Sequence, residues 1–186
     1  MTALRDTNQL HNTMIVFTSD NGLQWGEHRL GGKNKAYEES IRVPFVIRYA
    51  RLGDTPRIED LLVLNIDLAP TFAALAGAPT PPTEGMSLMP ILENQPVVWR
   101  SDFLIEHIIF PGTPVPSYCA VHTDRYVLIR YQYEDGTKED ELYDLQADPR
   151  ELQNVRGDPA YSAKKNALLN RMQQLCNPPP PGTNLP

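Results

Sequence analysis

Apolar positions in the first hundred residues fall into two short unbroken runs and one helical stripe. TMIVFT at 13–18 is β-branched and aromatic with almost no polar interruption. Such a run predicts a strand covered on both faces, as in a parallel sheet. It stops abruptly at Ser19-Asp20-Asn21-Gly22. VPFVI at 43–47 predicts a second strand, with Pro44 near its start where a missing N–H is tolerated. NIDLAPTFAALAG at 65–77 predicts a helix. Asp67 is its candidate N-cap, Pro70 lies in the first turn, and Gly77 is a natural residue just past the end. APTPPTEG then forms a proline-rich connector.

The pattern changes near residue 98. SDFLIEHII, SYCAVHT, RYVLIRYQY and ELYDLQ are strand-like and separated by turn residues. Short strands this close in sequence predict an antiparallel sheet. A last helix is expected near 160–175, started by Asp158-Pro159. Tyr161, Leu168, Met172 and Leu175 share one of its faces, with Lys164, Lys165 and Arg171 toward solvent. CNPPPPGTNLP follows as a polyproline-like tail. The fold class is therefore α/β followed by a small α+β subdomain with antiparallel sheet and helix. Boundaries are placed at 1–97, 98–175 and 176–186.

Composition narrows the function classes. A net charge of −6 over 186 residues argues against a nucleic-acid partner, which needs a basic face. No stretch approaches the ~20 apolar residues of a membrane span. MTALRDTNQL lacks the basic-then-apolar pattern of a secretory signal. Eighteen prolines are roughly twice the usual share, so many connections should be stiff. Cys119 and Cys176 are too few for a disulfide scaffold; one bond between them is open, and spacing alone does not decide it.

Chemistry concentrates in 13–44. Ligands of open α/β sheets bind beyond the carboxyl ends of strands, which is where Asp20 and Asn21 fall. Their side-chain oxygens are hard ligands of the kind Ca²⁺ and Mg²⁺ select. The plainer alternative is a turn, since Asn-Gly is a strong hairpin signal. LQWGEHRLGGKNKAY shows no clean alternation for a returning strand, which weakens that alternative. His28, Arg29, Lys33 and Lys35 form a local positive cluster in an acidic chain, suited to an anionic substrate. A solvated surface loop is the alternative. Glu38 reads as a supporting residue and Glu39 as solvated, because neighbours on a helix do not share a face. Trp25 could stack on a sugar or simply pack in its loop.

TSDNG, GEH, GGKNKAYEESIRVP, NIDLAPTFAALAG, EGMSLMPIL and ELYDLQADPRELQN resemble, in that order, the C-terminal half of sulfatases. WRSDFLIEH, SYCAVHT and the Cys-then-proline ending look most like the N-acetylglucosamine-6-sulfatase branch. The resemblance implies an alkaline-phosphatase-like α/β domain, here partial, and a smaller C-terminal domain. It implies one divalent cation, Ca²⁺ in most members, with Asp20 and Asn21 as the second ligand pair. Lys33 matches the lysine that contacts a sulfate oxygen. His28 matches the histidine of the GEH block and would line the pocket, with a packing role as the alternative. Tyr143 and Asp144 match a C-terminal signature whose expected role is structural, a strand turning at Asp148-Pro149. Glu106 and His107 read as an ordinary strand end.

The formylglycine nucleophile of the family arises from C-x-P-x-R or S-x-P-x-R. Cys119 is followed by Ala-Val-His-Thr, and Cys176 has Pro180 where arginine is required, so neither fits. The first Asp-Asp ligand pair is also missing from these residues. The implied function is a sulfuric ester hydrolase seen through its downstream part, cut at or restarted from an internal methionine, and inactive alone. Its partner would be a sulfated small molecule or glycan, and the parent would be secreted, periplasmic or lysosomal. Alternatives are a phosphonate or phosphate ester hydrolase of the same superfamily, or a non-catalytic remnant that binds anionic glycans or a partner chain.

Overall fold

A computed structural model describes residues 1–53, 55–80, 82–110 and 115–186. The elements in chain order are α1 (Thr2–Asp6), β1 (Met14–Phe17), β2 (Gln24–Trp25), β3 (Gly31–Gly32), α2 (Glu38–Ile41), β4 (Val46–Tyr49), α3 (Leu68–Ala76), α4 (Met89–Leu92), β5 (Asp102–His107), β6 (Ser117–Thr123), β7 (Tyr126–Gln132), β8 (Lys138–Asp144) and α5 (Ser162–Leu175). Contacts divide the chain into two units. One holds Met1–Asp20 and Val43–Arg100; the other holds Asn21–Arg42 and Ser101–Pro186. The segment 21–42 therefore groups with the C-terminal sheet rather than with the strands that flank it in sequence. No helix among the described residues is long and apolar enough to cross a membrane.

In the first unit, β1 pairs with β4, from Met14 opposite Tyr49 to Phe17 opposite Val46. The pairing is antiparallel, which corrects the parallel expectation. An apolar run reports coverage of a strand's faces and not the direction of its partner. Phe17 at the end of the strand is 65% exposed. α3 ends as expected, with Gly77 in the left-handed region at φ 61°. Its start differs. Asp67 makes no capping bond to α3. The fully buried carboxylate turns back instead and accepts the N–H groups of Leu64 and Met86, both at 2.8 Å. Arg100 closes on it with two bonds, at 2.5 and 2.6 Å. The N-cap pattern in the sequence is the same whichever way the carboxylate turns, so only the folded neighbourhood decides. Thr71 extends the network, donating to the Asp67 carbonyl at 2.6 Å and accepting from Leu88 N–H at 2.8 Å.

In the second unit, β5-β6-β7-β8 form an antiparallel sheet in sequence order. Alternation on β6 and β7 splits the core into two faces. Tyr118, Ala120, Val127, Ile129, Tyr131 and Tyr143 cluster with Ala36 and Tyr37. Cys119, Val121, Leu128 and Leu142 cluster with Leu168, Met172 and Cys176. Leu168 and Met172, one turn apart on α5, are both buried there, each side chain contributing about 1.5–3 kcal/mol. Asp158 accepts Ala160 N–H at 2.8 Å and starts the helical segment as read from sequence. Arg171, with its side chain 41% exposed, lies toward solvent and also grips Asp102 of β5 at 2.7 and 2.9 Å. Cys119 and Cys176 are disulfide-bonded, with Cα atoms 6.4 Å apart. That bond ties the centre of the sheet to the end of α5.

Candidate functional site

Asp20-Asn21-Gly22 does not form a two-residue hairpin. The strand returning beside β1 is β4, and 18–23 runs on as irregular chain. Gly22 is required by close approach rather than by a turn. Its N–H donates to Ser40 carbonyl at 2.9 Å, and a Cβ there would sit 2.1 Å from the Glu39 carbonyl oxygen. Asp20 is exposed; Ser19 donates to its carboxylate at 3.3 Å, and Asn65 donates to its carbonyl at 2.6 Å.

Beyond Gly22 the chain does return, as a short ribbon. β2 pairs antiparallel with β3, Gln24 opposite Gly32 and Trp25 opposite Gly31. The lack of alternation hid this ribbon because each strand is only two residues long and one is all glycine. At its tip Gly26 has φ 125°, and His28 and Arg29 adopt positive φ of 55° and 59°. The fold-back carries Lys33 to Asn21, where Nζ donates to Oδ1 at 3.1 Å. Asn21 Nδ2 in turn donates to Gly22 carbonyl at 2.7 Å. Trp25 is 84% exposed, which rules out loop packing and leaves its indole face open.

The expected positive cluster is dispersed. Of its members, Lys33 bonds Asn21 and Arg29 is exposed. Lys35 lies with Nζ 4.5 Å over the Tyr131 ring, and burial lowers its pKa while Glu141 and Glu139 oppose that shift. His28 turns inward: its ring stacks on Tyr37 at 4.0 Å between centroids, its side chain is 10% exposed, and Nε2 lies 3.5 Å from Glu39 Oε2. Sequence spacing brings these residues close along the chain, but Lys33, Lys35 and His28 each find a different partner.

Glu39 is accordingly not a solvated residue. Beside it, Glu38 accepts from or shares a proton with His122 Nε2 at 2.8 Å and receives Arg42 at 3.3 Å. Burial pushes its carboxyl up, but His122 and then Arg42 hold it below the usual range. This confirms Glu38 as a supporting residue. Tyr37 donates to Glu141 at 2.9 Å, and Tyr131 to the same oxygen at 3.3 Å. Burial raises both phenols. Glu151, unmarked in the sequence reading, is 1% exposed and accepts Glu38 N–H at 2.8 Å. Burial pushes its carboxyl up to about 8, with Glu38, Glu39 and Glu141 adding to the shift. No local pattern announces it, since 113 residues separate Glu38 from Glu151.

Tyr143 and Asp144 act structurally, as expected. Tyr143 is buried beside Tyr37, and Asp144 receives Arg125 at 2.9 and 2.8 Å, which holds its carboxyl low. Glu106 and His107 end β5, with the His107 ring stacked on Tyr118 at 5.5 Å.

Asp20 and Asn21 suit a hard cation by donor chemistry, one carboxylate and one amide oxygen. Two side chains supply only part of the six to eight oxygens that Ca²⁺ takes.

Residues 26–177 match the family model described as N-sulphoglucosamine sulphohydrolase, C-terminal. An N-acetylglucosamine-6-O-sulfatase of Bacteroides thetaiotaomicron is 35% identical over 92% of this chain and 31% of its own. The N-acetylglucosamine-6-sulfatase of Homo sapiens is 31% identical over 94% of this chain and 38% of its own. A solved protein in complex with its substrate D-glucosamine-2-N,6-O-disulfate superposes with TM-score 0.86 at 33% identity, covering 94% of this chain and 36% of that one. The phosphonate monoester hydrolase of Agrobacterium radiobacter superposes with TM-score 0.80 at 26% identity, over 94% and 37%. The chain thus spans about a third of the length of these relatives.

Proposed function

The chain belongs to the N-sulphoglucosamine sulphohydrolase C-terminal family of sulfatases, and from that premise we propose that it is the downstream part of a sulfuric ester hydrolase acting on sulfated glucosamine-type sugars. The observation that carries the reading is the Lys33–Asn21 contact at 3.1 Å, built by the β2–β3 fold-back at the position where the sulfatase blocks run together. An ammonium next to a hard-cation ligand suits one anion facing both.

In this reading Asp20 and Asn21 are one pair of cation ligands. When bound, the cation would lower the cost of bringing the sulfate ester monoanion and a negatively charged nucleophile together. Lys33 leaves Asn21 for a sulfate oxygen and stabilises charge developing on the ester. The β2–β3 ribbon fixes how far Nζ reaches, because Gly32 is held in register opposite Gln24. Trp25 offers an apolar face on the same ribbon on which a sugar ring can stack. His28, turned inward on Tyr37, positions the ribbon rather than touching substrate. The similarity to a glucosamine-disulfate complex favours an aminosugar sulfate over a simple aryl sulfate.

The test uses the complete reading frame that contains these residues, assayed on glucosamine 6-sulfate. Lys33→Ala should lower kcat at least about a hundredfold while metal content stays unchanged. Asp20→Ala should lose metal and activity together. Turnover of phosphonate monoesters with no turnover of the sulfated sugar would instead select the second reading, which the phosphonate hydrolase likeness favours.

A further inference from the structure

Three ligand atoms from distant parts of the sequence converge in the second unit without being used by the site above. They are a ring nitrogen of His28 and carboxylate oxygens of Glu39 and Glu151, all within 4.8 Å of one another. The group is enclosed: the His28 side chain is 10% exposed, that of Glu39 25%, and Glu151 1%. His28 Nε2, Glu39 Oε2 and Glu151 Oε1 are each buried and make no hydrogen bond among the described residues. An orphaned buried polar atom is costly, and although His28 Nε2 and Glu39 Oε2 approach to 3.5 Å, the three together call for a shared partner.

We propose that His28, Glu39 and Glu151 form a binding site for a single divalent transition cation, Zn²⁺ by preference, separate from the Asp20–Asn21 pair. One imidazole nitrogen and two carboxylates are a donor set that suits Zn²⁺, Mn²⁺ or Fe²⁺, whereas Ca²⁺ and Mg²⁺ prefer oxygen alone. Among these three the usual affinity order favours zinc. Charge points the same way. With His28 neutral, the two carboxylates would bury two negative charges that a divalent ion balances. Two neighbouring contacts hold the ligands in place. Tyr37 stacks flat on His28, with 9° between the rings. Glu38 N–H fixes the other oxygen of Glu151 at 2.8 Å, leaving Oε1 directed at the group. The donors lie within 4.8 Å of one another, and they draw closer together to reach zinc's ~2.0–2.2 Å bond lengths.

The competing occupant is a proton shared between Glu151 and Glu39. Burial, with Glu38, Glu39 and Glu141 nearby, raises the Glu151 carboxyl to about 8. Near pH 7 that carboxyl is therefore mostly protonated before metal enters, and a metal has to displace the proton. Calorimetry of the 186-residue chain with Zn²⁺, run at pH 7 in two buffers of different ionisation enthalpy, reads both events. The expected result is one equivalent bound with release of about one proton. Glu151→Gln, which copies the protonated carboxyl in shape, should weaken this binding at least about tenfold and abolish the proton release. His28→Gln should weaken it as much, and far-UV circular dichroism of both variants establishes that they fold. His11→Gln, outside the group, should change nothing. Absence of stoichiometric binding, or binding untouched by Glu151→Gln and His28→Gln, overturns the proposal and leaves the proton as occupant. Loss of sulfatase activity by the Lys33 variant has no bearing on this outcome, so the two readings fail separately.

Discussion

Glu151 makes a pH experiment whose sign and size follow from its surroundings. Its carboxyl rises from the ordinary 4.5 to about 8, first because it is buried and then because Glu38, Glu39 and Glu141 crowd it. A raised folded value means that the folded chain holds more protons than the unfolded chain between those limits. The stability that Glu151 supports is complete below pH 4.5 and lost progressively as pH climbs through about 8. The interval is roughly 3.5 pH units, and at about 1.4 kcal/mol each the loss reaches at most about 5 kcal/mol. The perturbation is Glu151→Gln, whose amide keeps an oxygen for Glu38 N–H and presents N–H to Glu39. Urea unfolding of both chains in EDTA, at intervals from pH 4.5 to 8.5, gives the difference in stability at each pH and cancels every other titrating group. The variant should gain several kcal/mol relative to the parent across that range, most of it between pH 5 and 8. A difference that stays flat, or that turns against the variant as pH rises, refutes the account of Glu151 as a buried carboxyl held neutral.

Arg100→Met should destabilise the chain by about 3–5 kcal/mol by leaving the Asp67 carboxylate buried without its cation. Trp99, whose indole donates to Leu62 carbonyl at 2.8 Å, reports that loss by fluorescence, and a cost below about 1 kcal/mol would contradict it. Replacing Cys119 and Cys176 by serine opens a 57-residue loop and should cost about 4 kcal/mol in thermal unfolding under oxidising conditions. Under strong reductant the parent and the double variant should then unfold alike. The 186 residues alone should not turn over aryl sulfates, with or without Ca²⁺, since they contain no C-x-P-x-R or S-x-P-x-R. Turnover abolished by Lys33→Ala would count against the sulfatase reading of these residues.

How far the sequence reached depended on whether the determining information was local. The four strands of the second unit and the Leu168–Met172 stripe were legible because alternation and helical period are printed in consecutive residues. The direction of β1 was not, since pairing with β4 is a property of two strands and the run at 13–18 describes one. Asp67 carries a helix-start pattern that its carboxylate ignores in favour of Arg100, 33 residues away. Lys33 was reached through its resemblance to a family block, and the ribbon that delivers it to Asn21 was too short to show a period. His28, Glu39 and Glu151 lay beyond reach together. His28 sits at the tip of the β2–β3 ribbon and Glu39 in the nearby α2, but Glu151 arrives from beyond β8.

The grouping of Asn21–Arg42 with the C-terminal sheet sets an order of events during synthesis. Tyr37 bonds Glu141 across 104 residues, and Glu38 bonds Glu151 across 113. The ribbon bearing Lys33 therefore emerges from the ribosome long before the residues that anchor its base exist. Closing loops of that length is slow relative to local helix or hairpin formation. At ~5–20 residues per second, several seconds of translation separate the two halves of the contact. During that interval Trp25 and the strand ending at Phe17 are both present on an unfinished chain. A stop codon anywhere between 43 and 101 would release a polypeptide with every proposed site residue of the Asp20–Lys33 stretch and none of the sheet that gives the stretch its shape.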